Sequence, residues 1–512
     1  MLHSGHIAAK SLRGNTLTSR KAHLVGAEEP GAPTILWSNS QFGLSSLLIG
    51  MAIHFGTSGW RAVIADEFTF AAVGRVTEAI CHQFADESDR PVIVAHDTRF
   101  LGEEFAAECA EIVVRQGFEA LVCNGPTPTP TVSHAIRSQG AICGINFTAS
   151  HNPPEYNGMK LSTADGAPAL PAVTSKIEEL LGNPQGNRPS AANRKVARNF
   201  DPRDAYLADL EEKVRFDVIS AAGSSYAYDP LWGTGRGYLD QLLRHHGLNV
   251  TTIHDWRDVL FGGRAPEPEA SHLHELRDLV LAEGCALGLA TDGDGDRFGV
   301  IDANGQFIPP NQLIAILFDY LAESRGWQGG VARSVATSHL VDRVAKSHGL
   351  PVYETPVGFK YIGELINEDK IILGGEESAG LSIKGHYPEK DGLLACLLAA
   401  EAVAARGSSL TEQLEQLFAT TGRLESGRIG VQLTPELMPV LKEKLKEEPT
   451  SVGGRRVKSV NRIDGVKIIF EDDSWLLVRP SGTEPLVRIY AESESAKDVE
   501  VLLEQGRKYL LG

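Results

Sequence analysis

The recurrence of one order of strands and helices is the feature that most constrains what this chain can fold into. Three times the sequence reads as an apolar strand, a polar turn, a helix that stops at glycine, and a second strand; a later strand then ends in an unusual loop. The rounds begin at residues 91–95, 225–228 and 331–336. Such a repeat at domain period, with strands and helices alternating, predicts mostly parallel sheets with helices on their faces.

The last part of the chain follows a different pattern. Short alternating strands and two amphipathic helical runs in residues 422–512 predict a small α+β domain with an antiparallel sheet. At 512 residues the chain is too long for one core. We therefore predict an α/β fold: three repeated mixed α/β domains plus a C-terminal α+β domain around a central cleft. The predicted domains are residues 51–195, 196–303, 304–421 and 422–512, after an extension of residues 1–50.

The first 50 residues leave three interpretations open. Their basic and hydroxyl side chains, with no acid before Glu28, are compatible with a transit peptide. We favour an unstructured extension or sequence upstream of a misplaced start, because Met51 stands just before the first convincing strand. Residues 42–55 are apolar but too short to cross a bilayer.

The overall charge limits the partners. A net charge of −17 argues against nucleic acid or a membrane as the main partner, but a local basic pocket could still bind a small phosphorylated substrate. The six cysteines form no C-x-x-C pair and mostly lie in apolar stretches. We expect free buried thiols and a reducing, cytoplasmic location.

The loop T-A-S-H-N-P, residues 148–153, follows an apolar run that reads as a buried strand. Ser150 is therefore expected just past the carboxyl end of a strand, where α/β sheets place reactive groups. Taken alone, the loop could equally be a proline-bounded turn whose serine caps backbone amides. Three further loops favour a chemical role.

The loop D-G-D-G-D-R carries Asp292, Asp294 and Asp296 at alternate positions, so that three carboxylates can converge on one hard cation such as Mg²⁺. An EF-hand does not fit, because its sixth position would be Arg297 and its twelfth Ala303. A plain acidic surface turn is the alternative, but uncompensated carboxylates so close together repel one another.

Two more loops offer polar groups of the kind that bind sugars and phosphates. R-P-S-G-T-E-P, residues 479–485, lies between two strands, and its arginine can bind a phosphate bidentately while hydroxyls and amides donate further hydrogen bonds. G-E-E-S-A-G, residues 375–380, offers Glu376 and Ser378 to neutral hydroxyls. A hairpin turn and a helix start are the structural alternatives. Together, the four loops predict phosphoryl transfer on a polyol, with a metal beside Ser150.

These four motifs, in this order and spacing, resemble those of the α-D-phosphohexomutases (the phosphoglucomutases and phosphomannomutases), and the resemblance covers residues 53–512. It implies four domains around one cleft, with Ser150 as the phosphoserine. It further implies that Mg²⁺ binds the phosphoserine oxygen together with Asp292, Asp294 and Asp296. The remaining implied site residues are His151, which supports the serine loop; Arg61, Lys160, Arg297 and Lys390 near the transferring phosphate; Glu376 and Ser378 on the sugar; and Arg479, Ser481, Gly482 and Thr483 on the second phosphate.

The resemblance implies interconversion of hexose 1-phosphate and hexose 6-phosphate through a 1,6-bisphosphate, with glucose 1,6-bisphosphate as activator. Residues 355–360, T-P-V-G-F-K with Thr355 and Gly358, resemble the sugar-discriminating loop of glucose-type members and favour glucose. Ala379 and Leu381 depart from the pattern of many bacterial members. Phosphomannomutase and phosphoglucosamine mutase activities stay open as alternatives, as do a sugar-phosphate phosphatase and a non-catalytic binder. A monomer or a dimer is expected.

Overall fold

A computed structural model describes residues 53–56, 59–182, 195–481 and 486–511. The predictions made for residues 1–50, and the roles given to Gly482 and Thr483, concern positions outside these ranges. Four sheets, of six, five, four and six strands, organise the described part of the chain.

The first sheet has the order β1-β5-β4-β2-β3-β6. Strands β4, β2, β3 and β6 are parallel neighbours, and β5 is antiparallel to both of its neighbours, β4 and β1. The strand β6 lies beyond residue 195, where we placed the first domain boundary, so the first sheet continues past that position. Its strands and helices are β1 (Trp60–Val63), α1 (Phe70–Gln83), β2 (Val92–His96), α2 (Gly102–Arg115), β3 (Ala120–Cys123), α3 (Thr129–Ser138), β4 (Cys143–Phe147), β5 (Tyr156–Thr163), α4 (Pro171–Gly182) and β6 (Ala197–Phe200).

The second sheet has the order β11-β10-β9-β7-β8; β9, β7 and β8 are parallel, and β10 is antiparallel to both of its neighbours, β9 and β11. The third has the order β13-β12-β14-β15, with β15 antiparallel. The elements are α5 (Arg203–Lys213), α6 (Phe216–Ala222), β7 (Ser225–Asp229), α7 (Leu239–His245), β8 (Asn249–Thr252), α8 (His274–Glu283), β9 (Leu287–Thr291), β10 (Phe298–Asp302), β11 (Phe307–Ile308), α9 (Pro310–Ser324), β12 (Gly330–Ser334), α10 (Leu340–Ser347), β13 (Val352–Thr355), α11 (Phe359–Asn367), β14 (Ile371–Glu376), β15 (Gly380–Ile383), α12 (Gly392–Arg406) and α13 (Leu410–Thr421).

The C-terminal sheet has the order β16-β21-β20-β19-β18-β17 and is antiparallel throughout, as its alternating sequence predicts. The helix α15 packs against four of its strands, β16, β17, β20 and β21. The elements are β16 (Glu425–Gln432), α14 (Leu437–Lys444), β17 (Ser451–Val452), β18 (Arg455–Asn461), β19 (Val466–Phe470), β20 (Trp475–Pro480), β21 (Leu486–Ser493) and α15 (Ala496–Leu511).

One apolar core joins the second and third domains. The helix α12 is its centre: Gly392 to Ala402 are all buried, and the helix contacts α6, β9 and β10 on one side and α9 and β15 on the other. Asp391 caps its first turn by accepting from the amide of Leu394. Because α12 is apolar all round, it can only lie inside such a core. Two reactive loops, those after β9 and β14, are thereby carried on one packed body.

Within the described residues, no single helix is long and apolar enough to cross a membrane. The pair α12 and α13 passes that test of length and composition only when taken together across a 76° bend. All six cysteines are free and buried, which confirms the prediction of free buried thiols.

Candidate active site

The serine loop follows β4, as predicted, and its backbone is tightly held. Ser150 is 1% exposed and has a φ of 52°, a left-handed conformation that non-glycine residues seldom adopt. Its amide donates to Thr148 Oγ1 at 2.9 Å, and the Thr148 hydroxyl in turn donates to Asp97 Oδ2 at 2.6 Å. The strained serine is therefore fixed from the turn that follows the neighbouring strand β2.

Arg99 is the residue that holds this loop and that the sequence analysis did not assign. Its side chain is fully buried, pairs with Asp97, and donates to four backbone carbonyl oxygens at 2.6–3.0 Å. Those carbonyls belong to Ser150, Asn152, Pro153 and Tyr156. The signal in the sequence was its place in the polar turn after the first strand of the repeat, but the partners lie more than 50 residues away.

The aspartate loop after β9 meets the serine loop directly. Ser150 Oγ donates to Asp292 Oδ2 at 2.8 Å. A Cβ added at Gly293 would lie 2.7 Å from the Ser150 carbonyl oxygen, so the close approach of the two loops requires glycine there. Ligand atoms of Asp292, Asp294 and Asp296 all lie within 4.8 Å of one another. The convergence predicted from their spacing is confirmed.

Two lysines from different domains enter the same cluster. Lys160 Nζ donates to Asp294 Oδ2 at 2.6 Å and also to Asp296 Oδ2. Lys390 Nζ donates to Asp296 Oδ2 at 2.8 Å. Among the described residues, the buried Oδ1 atoms of Asp294 and Asp296 find no hydrogen-bond partner. Three buried carboxylates, two of them with an orphaned oxygen, fit a hard divalent cation.

The electrostatics of the cluster follow from its burial. Burial raises the pKa of Asp292 well above its usual value, and the neighbouring carboxylates of Asp294 and Asp296 add to this shift. Burial also acts to raise the pKa of Asp296, but the ammonium groups of Lys160 and Lys390 outweigh it and leave that pKa lowered. A cation placed among these carboxylates would offset their mutual repulsion.

His151 contacts the serine hydroxyl, and Arg61 and Arg297 lie near enough to act on the charge of His151. His151 Nδ1 lies 3.3 Å from Ser150 Oγ, and burial, reinforced by Arg297 and Arg61, holds its pKa well below the usual value, so the ring is neutral. Arg61 Nη1 donates to Asn152 Oδ1 at 2.7 Å. The buried Nε of Arg297 has no acceptor among the described residues, which suits the arrival of an anion.

The sugar loop and the G-E-E-S-A-G loop meet through Glu376. The amide of Gly358 donates to Glu376 Oε1 at 2.7 Å, and Thr355, at the end of β13, is buried beside them. Burial, followed by the charge of Glu377, raises the pKa of Glu376 to about 7. Ser378 lines a cavity of about 410 Å³ together with Arg297. The structure therefore places the predicted hydroxyl-binding residues beside the reactive cluster.

The phosphate loop begins at the end of β20, where Arg479 lies. The guanidinium is nearly buried, and its Nε donates to Asp464 Oδ2 at 2.7 Å. Ser481 ends the described part of this loop, and its amide donates to the Leu486 carbonyl oxygen at 2.8 Å, which closes the loop at its base. Arg488 lies opposite Arg479 on β21 and adds, after burial and the nearer arginines, to the lowering of the His151 pKa.

Comparison with known proteins agrees with this geometry. Models of the phosphoglucomutase/phosphomannomutase family match the chain in four consecutive parts: α/β/α domain I at residues 52–187, domain II at 204–305, domain III at 309–421 and the C-terminal domain at 437–508. A phosphoglucomutase/phosphomannomutase of Thermococcus kodakarensis is 30% identical and aligns with 89% of this chain and 98% of its own.

Two further relatives carry different sugar names. A phosphoglucosamine mutase of Levilactobacillus brevis is 29% identical, over 87% of this chain and 96% of its own. A crystal structure from Thermus thermophilus, described as a putative phosphomannomutase, is 35% identical with a TM-score of 0.79, over 90% of this chain and 99% of its own. The chain belongs to the phosphoglucomutase/phosphomannomutase family and is an enzyme of the phosphohexomutase type.

Proposed function

We propose that this enzyme interconverts glucose 1-phosphate and glucose 6-phosphate through a phosphoserine at Ser150 and a glucose 1,6-bisphosphate intermediate. One observation carries the proposal: Ser150 Oγ lies 2.8 Å from a carboxylate of a buried three-aspartate cluster that two lysines also enter. A nucleophile, a cation site and positive charge in one water-poor place are the requirements of phosphoryl transfer.

The residues around Ser150 have different proposed roles. Phosphoryl transfer depends mainly on positioning and on neutralising charge, and Arg61, Lys160 and Arg297 are the residues we assign to the phosphoryl oxygens. The carboxylates beside Lys390 raise its pKa against the effect of burial, so Lys390 keeps its proton and supplies positive charge near the transferring phosphate. Neutral His151 supports the loop.

Asp292, Asp294 and Asp296 would hold Mg²⁺. When bound, the ion supplies a Lewis acid that neutralises charge on the transferring phosphoryl group. The side chains themselves fix the site before any ligand arrives, because Asp294 is held by Thr129 and Lys160 and Asp296 by the two lysines.

The sugar is proposed to bind between two fixed ends. Glu376 and Ser378 accept and donate hydrogen bonds to its hydroxyls, while Arg479, Ser481, Gly482 and Thr483 bind the phosphate that does not react. After the first transfer the bisphosphate turns over, and its other phosphate returns to Ser150. One serine and one phosphate loop suffice, because the sugar reorients within the cleft.

Glucose is the proposed sugar because the loop at residues 355–360 resembles that of glucose-type members. Mannose phosphates and glucosamine phosphates are the alternatives, since relatives of this chain bear those names. The buried free thiols support a reducing, cytoplasmic compartment as part of the same proposal.

The test is ³¹P NMR of the protein with Mg²⁺, a trace of glucose 1,6-bisphosphate, and glucose 1-phosphate, mannose 1-phosphate or glucosamine 1-phosphate in parallel tubes. We expect glucose 6-phosphate to form fastest, without inorganic phosphate, and Ser150→Ala to be folded and inactive. Release of inorganic phosphate would show a phosphatase instead. Faster conversion in another tube would correct the sugar, and turnover by Ser150→Ala would refute the serine mechanism.

A further inference from the structure

We propose that Asp464 is a positioning residue that couples the phosphate loop to the sugar loop, an inference that rests on the proposed function. The same oxygen, Oδ2, accepts from Arg479 Nε at 2.7 Å and from the amide of Val357 at 3.1 Å. Arg479 belongs to the loop that binds the non-reacting phosphate, and Val357 lies in the middle of the sugar loop. One carboxylate oxygen thus joins two parts of the site in different domains.

The turn that carries Asp464 cannot slide relative to Arg479. Gly465 has a φ of +83°, and a Cβ there would lie 2.6 Å from the Val478 carbonyl oxygen and 3.0 Å from Arg479 Cβ. Only glycine tolerates both the conformation and the close approach. The carboxylate of Asp464 is therefore fixed against the end of β20, at a constant distance from the guanidinium.

The sugar loop is held at two consecutive amides by two carboxylates. Asp464 accepts from Val357, and Glu376 accepts from Gly358 at 2.7 Å. The first carboxylate belongs to the C-terminal domain, and the second belongs to the loop that we assign to sugar hydroxyls. The position of residues 355–358 consequently depends on both neighbours, and a movement of Asp464 would be felt at Glu376.

A second contact seats the same turn on the third domain. Asn461 Nδ2 donates to Glu354 Oε1, and Glu354 also pairs with Arg333 at 2.6 Å. Residues 461–464 thus lie along the end of β13, just before the sugar loop. The contact between Asp464 and Val357 is therefore one of several polar contacts between the C-terminal domain and the third domain.

The coupling follows from the shape of the guanidinium. Asp464 holds Nε and so fixes the plane of the Arg479 fork, whose terminal nitrogens are the ones that a phosphate contacts bidentately. A phosphate bound there restrains Arg479 and, through the shared Oδ2 of Asp464, also restrains the Val357 amide. Occupation of the phosphate loop is in this way transmitted to the residues that select the sugar.

The experiment compares Asp464→Asn with Asp473→Asn. The control removes an exposed carboxylate of the same domain, one that pairs only with Lys458 among the ion pairs of the described residues. Steady-state kinetics are measured with glucose 1-phosphate and mannose 1-phosphate. Hydrogen–deuterium exchange of a peptide spanning residues 352–361 is measured with and without inorganic phosphate, for the wild type and both variants.

For Asp464→Asn we expect KM for glucose 1-phosphate to rise about tenfold, the size of one weakened charge-assisted hydrogen bond, with a smaller change in kcat. The ratio of kcat/KM for glucose 1-phosphate to kcat/KM for mannose 1-phosphate should move several-fold towards one, because the hydrogen bond between the sugar loop and Asp464 is weakened. Inorganic phosphate should slow exchange of the peptide in the wild type and in Asp473→Asn, but not in Asp464→Asn.

An equal rise of KM for both sugars would overturn the coupling and leave Asp464 a role at the phosphate only. Unchanged KM values, or unchanged protection of the peptide in Asp464→Asn, would overturn the proposal altogether. If the wild type converts none of the sugars, the proposed function fails, and the exchange measurement with inorganic phosphate still decides whether the two loops are coupled.

Discussion

Arg99 shows how much of the active site depends on a residue that touches no reacting atom. Its guanidinium donates to the carbonyl oxygens of Ser150, Asn152, Pro153 and Tyr156, and it lies 5.0 Å from the ring of Phe261 in the second domain. A fully buried arginine that is this well satisfied holds the serine loop in a conformation the loop would not keep alone.

Replacing Arg99 by methionine should therefore be costly. It leaves Asp97 as a buried carboxylate without its partner, and we expect the free energy of unfolding to fall by about 3–5 kcal/mol, the range for breaking a buried ion pair. Urea denaturation measures this, with Arg198→Met as the control, because Arg198 forms an exposed pair with Glu119. A loss no larger than that of the control would show that Arg99 does not hold the loop.

Glu376 should make stability depend on pH. Its pKa is about 7 in the folded protein against a usual 4.5, so between these values the folded state binds more protons than the unfolded state. Its contribution is therefore complete below about pH 4.5 and is lost as pH rises through about 7, up to roughly 3 kcal/mol. Glu376→Gln keeps an acceptor for Gly358 but cannot titrate.

Chemical denaturation of the wild type and Glu376→Gln at a series of pH values from about 5 to about 8 tests this expectation. The wild type should lose stability relative to the variant as pH rises through about 7. Parallel curves would show that the carboxyl group of Glu376 titrates near its ordinary pKa and that its burial has no such effect.

Sequence analysis could identify the site residues that lie within recognisable motifs. It could not identify the residues that hold those motifs in place. Ser150 and the three aspartates lie in compact motifs whose residue types directly indicate a nucleophile and a cation site. Arg99 holds carbonyl oxygens more than 50 residues away, and Asp464 reaches the amide of Val357 more than 100 residues away; no local pattern marks such contacts. Only the folded chain brings them together.

At the scale of elements, the three repeats share one way of bracing a reactive loop. The turn after the first strand of each repeat contacts the loop that follows its last predicted strand. In the first repeat, Asp97 accepts from Thr148; in the third, Ser334 and Thr337 donate to Glu377. In the second, the amide of Thr234 donates to the Gly293 carbonyl oxygen at 3.0 Å. The weak sequence repeat thus corresponds to a repeated structural role.

The close contact between the serine and aspartate loops gives a prediction of its own. Gly293→Ala places a methyl group 2.7 Å from the Ser150 carbonyl oxygen, so the two loops must separate. We expect kcat to fall by more than about tenfold, since a shift of about 1 Å in catalytic geometry can cost on the order of a hundredfold. Gly125→Ala is the matched control, because nothing lies within 4 Å of its added Cβ. Equal activities of the two variants would contradict the close packing.

The strands that the sequence analysis missed share one position in each repeat. It predicted the strands that deliver the reactive loops but not the antiparallel strands that return from them, β5, β10 and β15. In β5, polar Asn157, Lys160 and Ser162 interrupt the apolar pattern, because the strand carries site residues and is nevertheless buried. Function overrides the alternation on which strand prediction depends.

At the scale of the whole molecule, the site is assembled from parts that no domain holds alone. Lys160 of the first sheet reaches Asp294 and Asp296 of the second, and Lys390 reaches Asp296 from beside the third. The sequence predicted three sheet edges that face one another, because each repeat ends in a polar loop. It could not predict that α12 fuses the second and third domains into one core, since that depends on packing between distant segments.

The central claim is that one phosphoryl group passes between Ser150 and the sugar, and a single-turnover experiment tests it most directly. Protein phosphorylated by glucose 1,6-bisphosphate is freed of ligand, mixed with glucose 6-phosphate and Mg²⁺, and followed by intact-protein mass spectrometry and ³¹P NMR. We predict that the protein loses one phosphoryl group, mapped by peptide sequencing to Ser150, as glucose 1,6-bisphosphate appears in equal amount. Loss of the group as inorganic phosphate, or its location on another residue, would contradict the account.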